Sequence, residues 1–210
     1  MSHPAPQVLM IDGGHGVGPA LEQLLADAGL DVSGWDGAAA EPLARADAAI
    51  FNLPDFDEAA LLGEGRLADA IDASAARFMD QLQQVARAMF ERGRGQIWVL
   101  GLDDSFAYYL PLPVAPVSQH LRVGAVRALA KEAARFGVSA NAAILQPGAE
   151  TVEAAALQAA RTGLASYAQR FRPTPLAEVA QTLAFWLGRE RLPMNGSVLH
   201  FGSGVYDGNL

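Results

Sequence analysis

Cysteine is absent from this sequence, which rules out disulfide bonds, thiolate metal sites and a cysteine nucleophile. Lysine is nearly absent: Lys131 is the one lysine in the chain. Charged residues of all kinds make up only 18%, and 15 scattered basic residues face 23 acidic ones for a formal charge of −8, which leaves no footprint for nucleic acid. No apolar run approaches the roughly 18 residues of a membrane span, and MSHPAPQ carries no basic segment leading into one, so a cytoplasmic location is expected. The four histidines, His3, His15, His120 and His200, show neither i,i+4 pairing nor carboxylate spacing suited to a metal, and no metal site is expected.

Hydrophobic residues make up 51% of the 210 positions, a globular composition. A chain of this length buries about 70% of its extended surface around one core, so residues 1–210 are expected to form a single domain. No fixed-period repeat and no low-complexity segment interrupts it; the Ala-rich patches GAAAEP and VEAAALQAA suit small-residue helix or loop.

Short apolar runs alternate with amphipathic stretches along the whole chain. Val8–Ile11 reads as a strand, DGGHGVG as a tight loop, and PALEQLLADAGL as a helix. Further strands are expected at Asp31–Trp35, at Ala46–Phe51 before Asn52-Leu53-Pro54, at QIWVLG, at Ser139–Leu145 and at Gly196–Phe201. Long helices are expected over Leu67–Arg92, closed by Gly93 and Gly95, and over Ser118–Phe136, capped by Gly137, with a third amphipathic segment at Leu176–Gly188. Strand–helix alternation at this spacing gives right-handed βαβ units, hence an α/β, doubly wound parallel sheet with helices on both faces: a three-layer Rossmann fold.

In such a fold the first strand-to-helix turn brings backbone N–H groups against a pyrophosphate, and glycine permits the approach. Gly13, Gly14, Gly16 and Gly18 occupy that turn, and Asp36 follows Gly16 by twenty residues at the end of the second strand, where a carboxylate accepts ribose hydroxyls and repels a 2′-phosphate. The pattern favours NAD over NADP. A plain tight turn with close helix–strand packing accounts for the same glycines, and Asp12 sets a negative charge beside the phosphate position.

Several stretches together resemble the short-chain dehydrogenase/reductase family across nearly the whole chain. IDGGHGVG resembles its Thr-Gly-x-x-x-Gly-x-Gly turn, ADAAIFNLP its Asn-Asn-Ala-Gly strand, and RGRGQIWVLG its serine-bearing strand. RALAKEAARFGVSAN, LQPG, PLAEVAQTLAFWLG and NGSVLHFGSG resemble the units that follow. The resemblance implies an NAD(P) cofactor held by the glycine loop, with Asn52 matching the second asparagine of the strand motif. It also implies chemistry by a tyrosine, a lysine four residues later that lowers its pKa, and a serine. Aligned on the helix that ends at Gly137, those positions hold Ala115, Gln119 and, thirteen residues before Ala115, Leu102. Lys131 lies twelve positions past Gln119, about 18 Å along a helix. No catalytic residue of the family is therefore expected, and cofactor binding is expected to be weak or lost, with Ile11 and Asp12 also departing from the turn motif.

The resemblance further implies assembly into a dimer or tetramer through helices 67–92 and 118–136 and the C-terminal strand. The second helix carries Gly124, Ala125, Ala128, Ala130, Ala133 and Ala134, small residues that allow close approach and equally suit packing on its own sheet. Association kept while chemistry is lost fits the inactive member of a heteromeric short-chain dehydrogenase, supporting a catalytically intact paralogue. Two other readings stay open: an NAD-sensing regulator, and an atypical reductase using Tyr108 or Tyr109 with Ser105, His120 or an arginine. A hydrolase triad of Ser105, His120 and Asp103 lacks the sharp glycine-flanked nucleophile turn.

Overall fold

A computed structural model describes residues 4–54, 56–103, 115–146 and 174–202. Its six strands are β1 (Gln7–Ile11), β2 (Asp31–Trp35), β3 (Ala48–Phe51), β4 (Gly95–Leu102), β5 (Val138–Leu145) and β6 (Val198–Phe201). They form one all-parallel sheet in the order β2-β1-β3-β4-β5-β6. The expected doubly wound α/β architecture is the observed one.

Six α-helices join them among the described residues: α1 (Gly18–Asp27), α2 (Ala40–Arg45), α3 (Glu58–Gly63), α4 (Leu67–Arg92), α5 (Pro116–Ala133) and α6 (Leu176–Leu187). Alternation along the strands sorts them into layers. Leu9, Ile11, Phe51, Ile97 and Val99 point to one face, where Phe78, Leu82 and Met89 of α4 and Val126 of α5 cover them. Val8, Met10, Ile50, Trp98 and Leu100 point to the other, under Leu21 and Leu25 of α1 and Val179 and Leu183 of α6. Strands buried on both faces explain the near-continuous apolar runs read from sequence. No helix among the described residues is long and apolar enough to cross a membrane.

Several boundaries differ from expectation. The third strand begins at Ala48, because Ala46 closes α2 by donating its N–H to Pro42 O. The patch GAAAEP is partly that short helix. Gly95 does not stop α4; Gly93, at φ 70°, does, and Gly95 opens β4. Helix α5 starts two residues earlier than its apolar pattern, with Pro116 in the first turn where a missing N–H costs nothing, and ends in a 3₁₀ turn over Ala134–Phe136. The last strand is Val198–Phe201, since Gly196 has a φ of 73°.

The strand order runs outward from β1 in both directions, to β2 on one side and to β3 on the other. Such a reversal opens a crevice at the carboxyl ends of β1 and β3, where open α/β sheets bind ligands.

At the opposite edge, Gly137 turns the chain from the end of α5 into β5 with φ 70°, and a Cβ there would overlap the carbonyl oxygen of Gly93. Gly137→Ala is expected to destabilise the fold by about 2 kcal/mol, combining a left-handed backbone penalty with steric overlap. Urea denaturation of the two chains measures it.

Candidate functional site

The glycine loop leaves β1 and enters α1 in the crevice. Gly18 stands so close to the loop that a Cβ on it would overlap Gly13 O and press on Asn52 Nδ2. This close approach brings the head of α1 against the loop at the crevice, with Gly18 N–H donating to His15 O at 3.0 Å and Pro19 carrying no N–H. Gly13 is buried, whereas Gly14 and Gly16 are exposed. Asp12 adopts φ 55°, the only positive value at a non-glycine residue among those described. An acidic residue thus holds a left-handed turn conformation that glycine adopts without cost. Its carboxylate lies 3.6 Å from the guanidinium of Arg77 on α4. The negative charge expected to oppose a phosphate is therefore offset by a partner from another element.

Asn52 ties the loop to the sheet. Fully buried at the end of β3, it donates through Nδ2 to Asp12 O and His15 O, each at 2.9 Å, while its own N–H donates to Ile11 O. Its Oδ1 is buried with no partner. Asp36 follows β2 directly, as expected; it is exposed, and its Oδ1 accepts Ala38 N–H at 2.9 Å. The nucleotide-candidate residues Gly13, Gly14, Gly16, Gly18 and Asn52 thus cluster at one crevice, with Asp36 on the neighbouring strand end.

The three positions aligned with the family's chemistry also converge. Ala115 is the N-cap of α5, Gln119 lies in its first turn, and Leu102 ends β4. Gln119 Oε1 accepts the N–H of Leu102 at 2.6 Å, and its amide packs over Gly101, where a Cβ would have no room. The side chain at the lysine position therefore braces the strand end at the serine position.

Two residues essential to this edge escaped the sequence reading. Glu58 of α3, only 5% exposed, accepts the N–H groups of Val117 and Ser118 at 2.9 Å each, capping α5 from about sixty residues away. Ser118 Oγ beside it is buried and unpartnered. Arg122, one turn past Gln119 and 4% exposed, donates to Asn52 O at 2.6 Å and lies 5.1 Å over the ring of Phe78. A signal for Arg122 was present: it falls on the inward stripe Ser118, Arg122, Val126, where a lone charge must be partnered. Glu58 gave none, because its partners are backbone groups distant in sequence.

His120 is exposed, its Nδ1 2.7 Å from Pro116 O. Ser105, Tyr108, Tyr109 and the Pro147-Gly148 turn lie outside the described residues, as does VEAAALQAA. No group of His, Asp and Glu among the described residues has metal-holding geometry.

Removing the Glu58 carboxylate leaves the N–H groups of Val117 and Ser118 without that acceptor, the second of them buried. Glu58→Ala is expected to cost about 2 kcal/mol, whereas Glu64→Ala, in an exposed ion pair with Arg66, stays within about 0.5 kcal/mol. Thermal denaturation of both variants separates them.

No family model matches the chain, and no curated protein matches it. Solved structures do. A protein from Beutenbergia cavernae assigned as an NAD(P)-dependent gluconate 5-dehydrogenase, with NADP at low occupancy, is 22% identical with a TM-score of 0.68, over 95% of this chain and 96% of that one. A variant of actinorhodin polyketide ketoreductase with NADPH is 19% identical, TM-score 0.64, over 98% and 99%. A structure described as a dehalogenation enzyme is 18% identical, TM-score 0.70, over 96% and 98%. At this level of identity the likeness establishes the fold: the chain has a Rossmann-like α/β architecture, shared along nearly its full length with these proteins.

Proposed function

We propose that the chain is a non-catalytic subunit of the short-chain dehydrogenase/reductase type, lending structure to a catalytically intact relative within an NAD(P)-dependent oxidoreductase complex. The observation that carries this reading is the Gln119–Leu102 hydrogen bond. Where the family resemblance calls for an ammonium and a serine hydroxyl, a neutral amide closes on a backbone N–H. Neither group supplies the cation that brings a phenol's pKa toward neutrality. The nearest cation on α5, Arg122, is committed to Asn52 O and the Phe78 ring. Lys131 is exposed in the last turn, far along the helix.

The association surfaces in this reading are α4, α5 and β6. On α5, Ala130 and Ala133 pack on the chain's own sheet, as the simpler account of its small residues holds, but Gly124, Ala128 and Ala134 are exposed. Those outward positions leave a low-relief helix surface that a second helix can approach closely. The partner proposed is a paralogue retaining the tyrosine and lysine.

A second reading, a nucleotide-responsive regulator, is favoured by the glycine loop. Its close Gly13–Gly18 packing is intact, and the Arg77 partner relieves the objection raised by Asp12. In that reading the loop N–H groups at the head of α1 hold a dinucleotide pyrophosphate, Asp36 takes ribose hydroxyls, and Asn52 keeps the loop in place. The cofactor would supply hydride transfer only where a proton donor accompanies it.

Native mass spectrometry of the protein purified from its own organism, with and without NADH, tests both. The expected result is a mixed assembly whose second subunit carries the Tyr-x-x-x-Lys pair. A homo-oligomer that retains NADH overturns the subunit reading in favour of the regulator, and ketone reduction by that homo-oligomer overturns the loss of chemistry as well.

A further inference from the structure

Two carboxylates reach the glycine loop, and only one is compensated. Asp12 has Arg77. Glu22, in the second turn of α1, has neither a hydrogen bond nor an ion pair with another residue among those described. Helical side chains lean toward the N-terminus, and this one lies back against the loop: Glu22 Oε1 fills the space that a Cβ on Gly13 would need, next to Met10. The carboxyl is partly buried, and the loss of hydration raises its pKa above the ordinary glutamate value.

Among the described residues, the surrounding elements supply no cation to settle the charge. Strand β1 has no ionisable side chain; the loop brings Asp12 and His15, β2 brings Asp31, α1 itself Asp27, and α6 Glu178. Arg77 is engaged with Asp12.

We propose that Glu22 sets the charge of the glycine loop, so that an anionic nucleotide binds there together with a proton on Glu22. This rests on the reading that the loop is a nucleotide site. A partly buried carboxylate against Gly13 and a pyrophosphate at the head of the same helix repel one another. Binding then favours the neutral carboxyl, and affinity falls as the pH rises through the elevated pKa of Glu22, up to tenfold per unit when one proton is taken up. Above that pKa the loop is held in a low-affinity state by its own helix, without any change of backbone.

The test is calorimetric titration of the full chain with NAD⁺ between about pH 4 and pH 8 for the native protein and Glu22→Gln, which keeps the shape and removes the charge. The expected ratio of the two dissociation constants is near one at the acid end and at least about tenfold in favour of Glu22→Gln at the alkaline end. Any contribution from His15 is present in both chains and cancels in the ratio. A ratio that stays constant with pH overturns the role of Glu22 and leaves the nucleotide site standing. Absence of binding to both chains at every pH overturns the nucleotide reading and the proposal with it.

A second measurement needs no ligand. Because folding raises the pKa of this acid, the folded state loses stability as pH climbs from the unfolded-state glutamate range through the folded value. The melting temperature of Glu22→Gln is therefore expected to match the native chain at the acid end and exceed it at the alkaline end. Coincident curves across the range overturn the proposal.

Discussion

A guanidinium buried at the carboxyl edge of the sheet holds that edge together. Taking Arg122 out of water is costly unless acceptors meet it, and one acceptor is the main-chain carbonyl of Asn52. That requirement fixes the head of α5 against the end of β3. Asn52 in turn spends its amide on the carbonyls of Asp12 and His15, so the glycine loop is indexed to the same point. One turn earlier on α5, Gln119 fastens the end of β4, and Glu58 closes the helix terminus. Loop, two strand ends and one helix head form a connected polar assembly with the Arg122 guanidinium near its middle and the Glu58 carboxylate at the helix terminus. Such an assembly persists whether or not chemistry takes place above it, since its bonds among the described residues join main-chain groups to the side chains of Asn52, Glu58, Gln119 and Arg122.

The layered fold was legible because its signals are periodic. Asp31–Trp35 and Leu67–Arg92 have the bounds that alternation and helical spacing indicate, and Gly137 ends its helical segment as expected. Short helices were less legible. In GAAAEP and around Glu58 too few apolar positions fall in register to show a period, and each helix is held by partners elsewhere: Leu43 by the α4 face, Glu58 by α5. The start of α5 was missed for a related reason, as its cap comes from α3 instead of from a neighbouring serine or aspartate.

At the candidate site, the residue types were legible and the pairings were not. The family resemblance singled out Leu102, Ala115 and Gln119, and the last two lie at the head of α5 beside the end of β4. It gave no hint that Gln119 would bond to Leu102, that Arg77 would meet Asp12 across the sheet edge, or that Glu22 would lie on Gly13. Each is a contact between elements, set by how the layers stack. The sign of the local field at the glycine loop depends on such contacts, so a motif read with its adjacent acid gives the wrong electrostatics.

The all-parallel sheet has a consequence for how the chain reaches its folded state. No ladder here joins near neighbours: Gln7 pairs with Asp31, and Ala142 waits for Val198. Every strand pair must therefore close a loop of chain before its hydrogen bonds form, which places the protein among slow folders, on the scale of milliseconds to seconds. Strand β5 is complete well before β6 emerges from synthesis. In that interval its hydrogen-bonding edge is open, and a partner present during translation would meet the chain at its most adhesive moment.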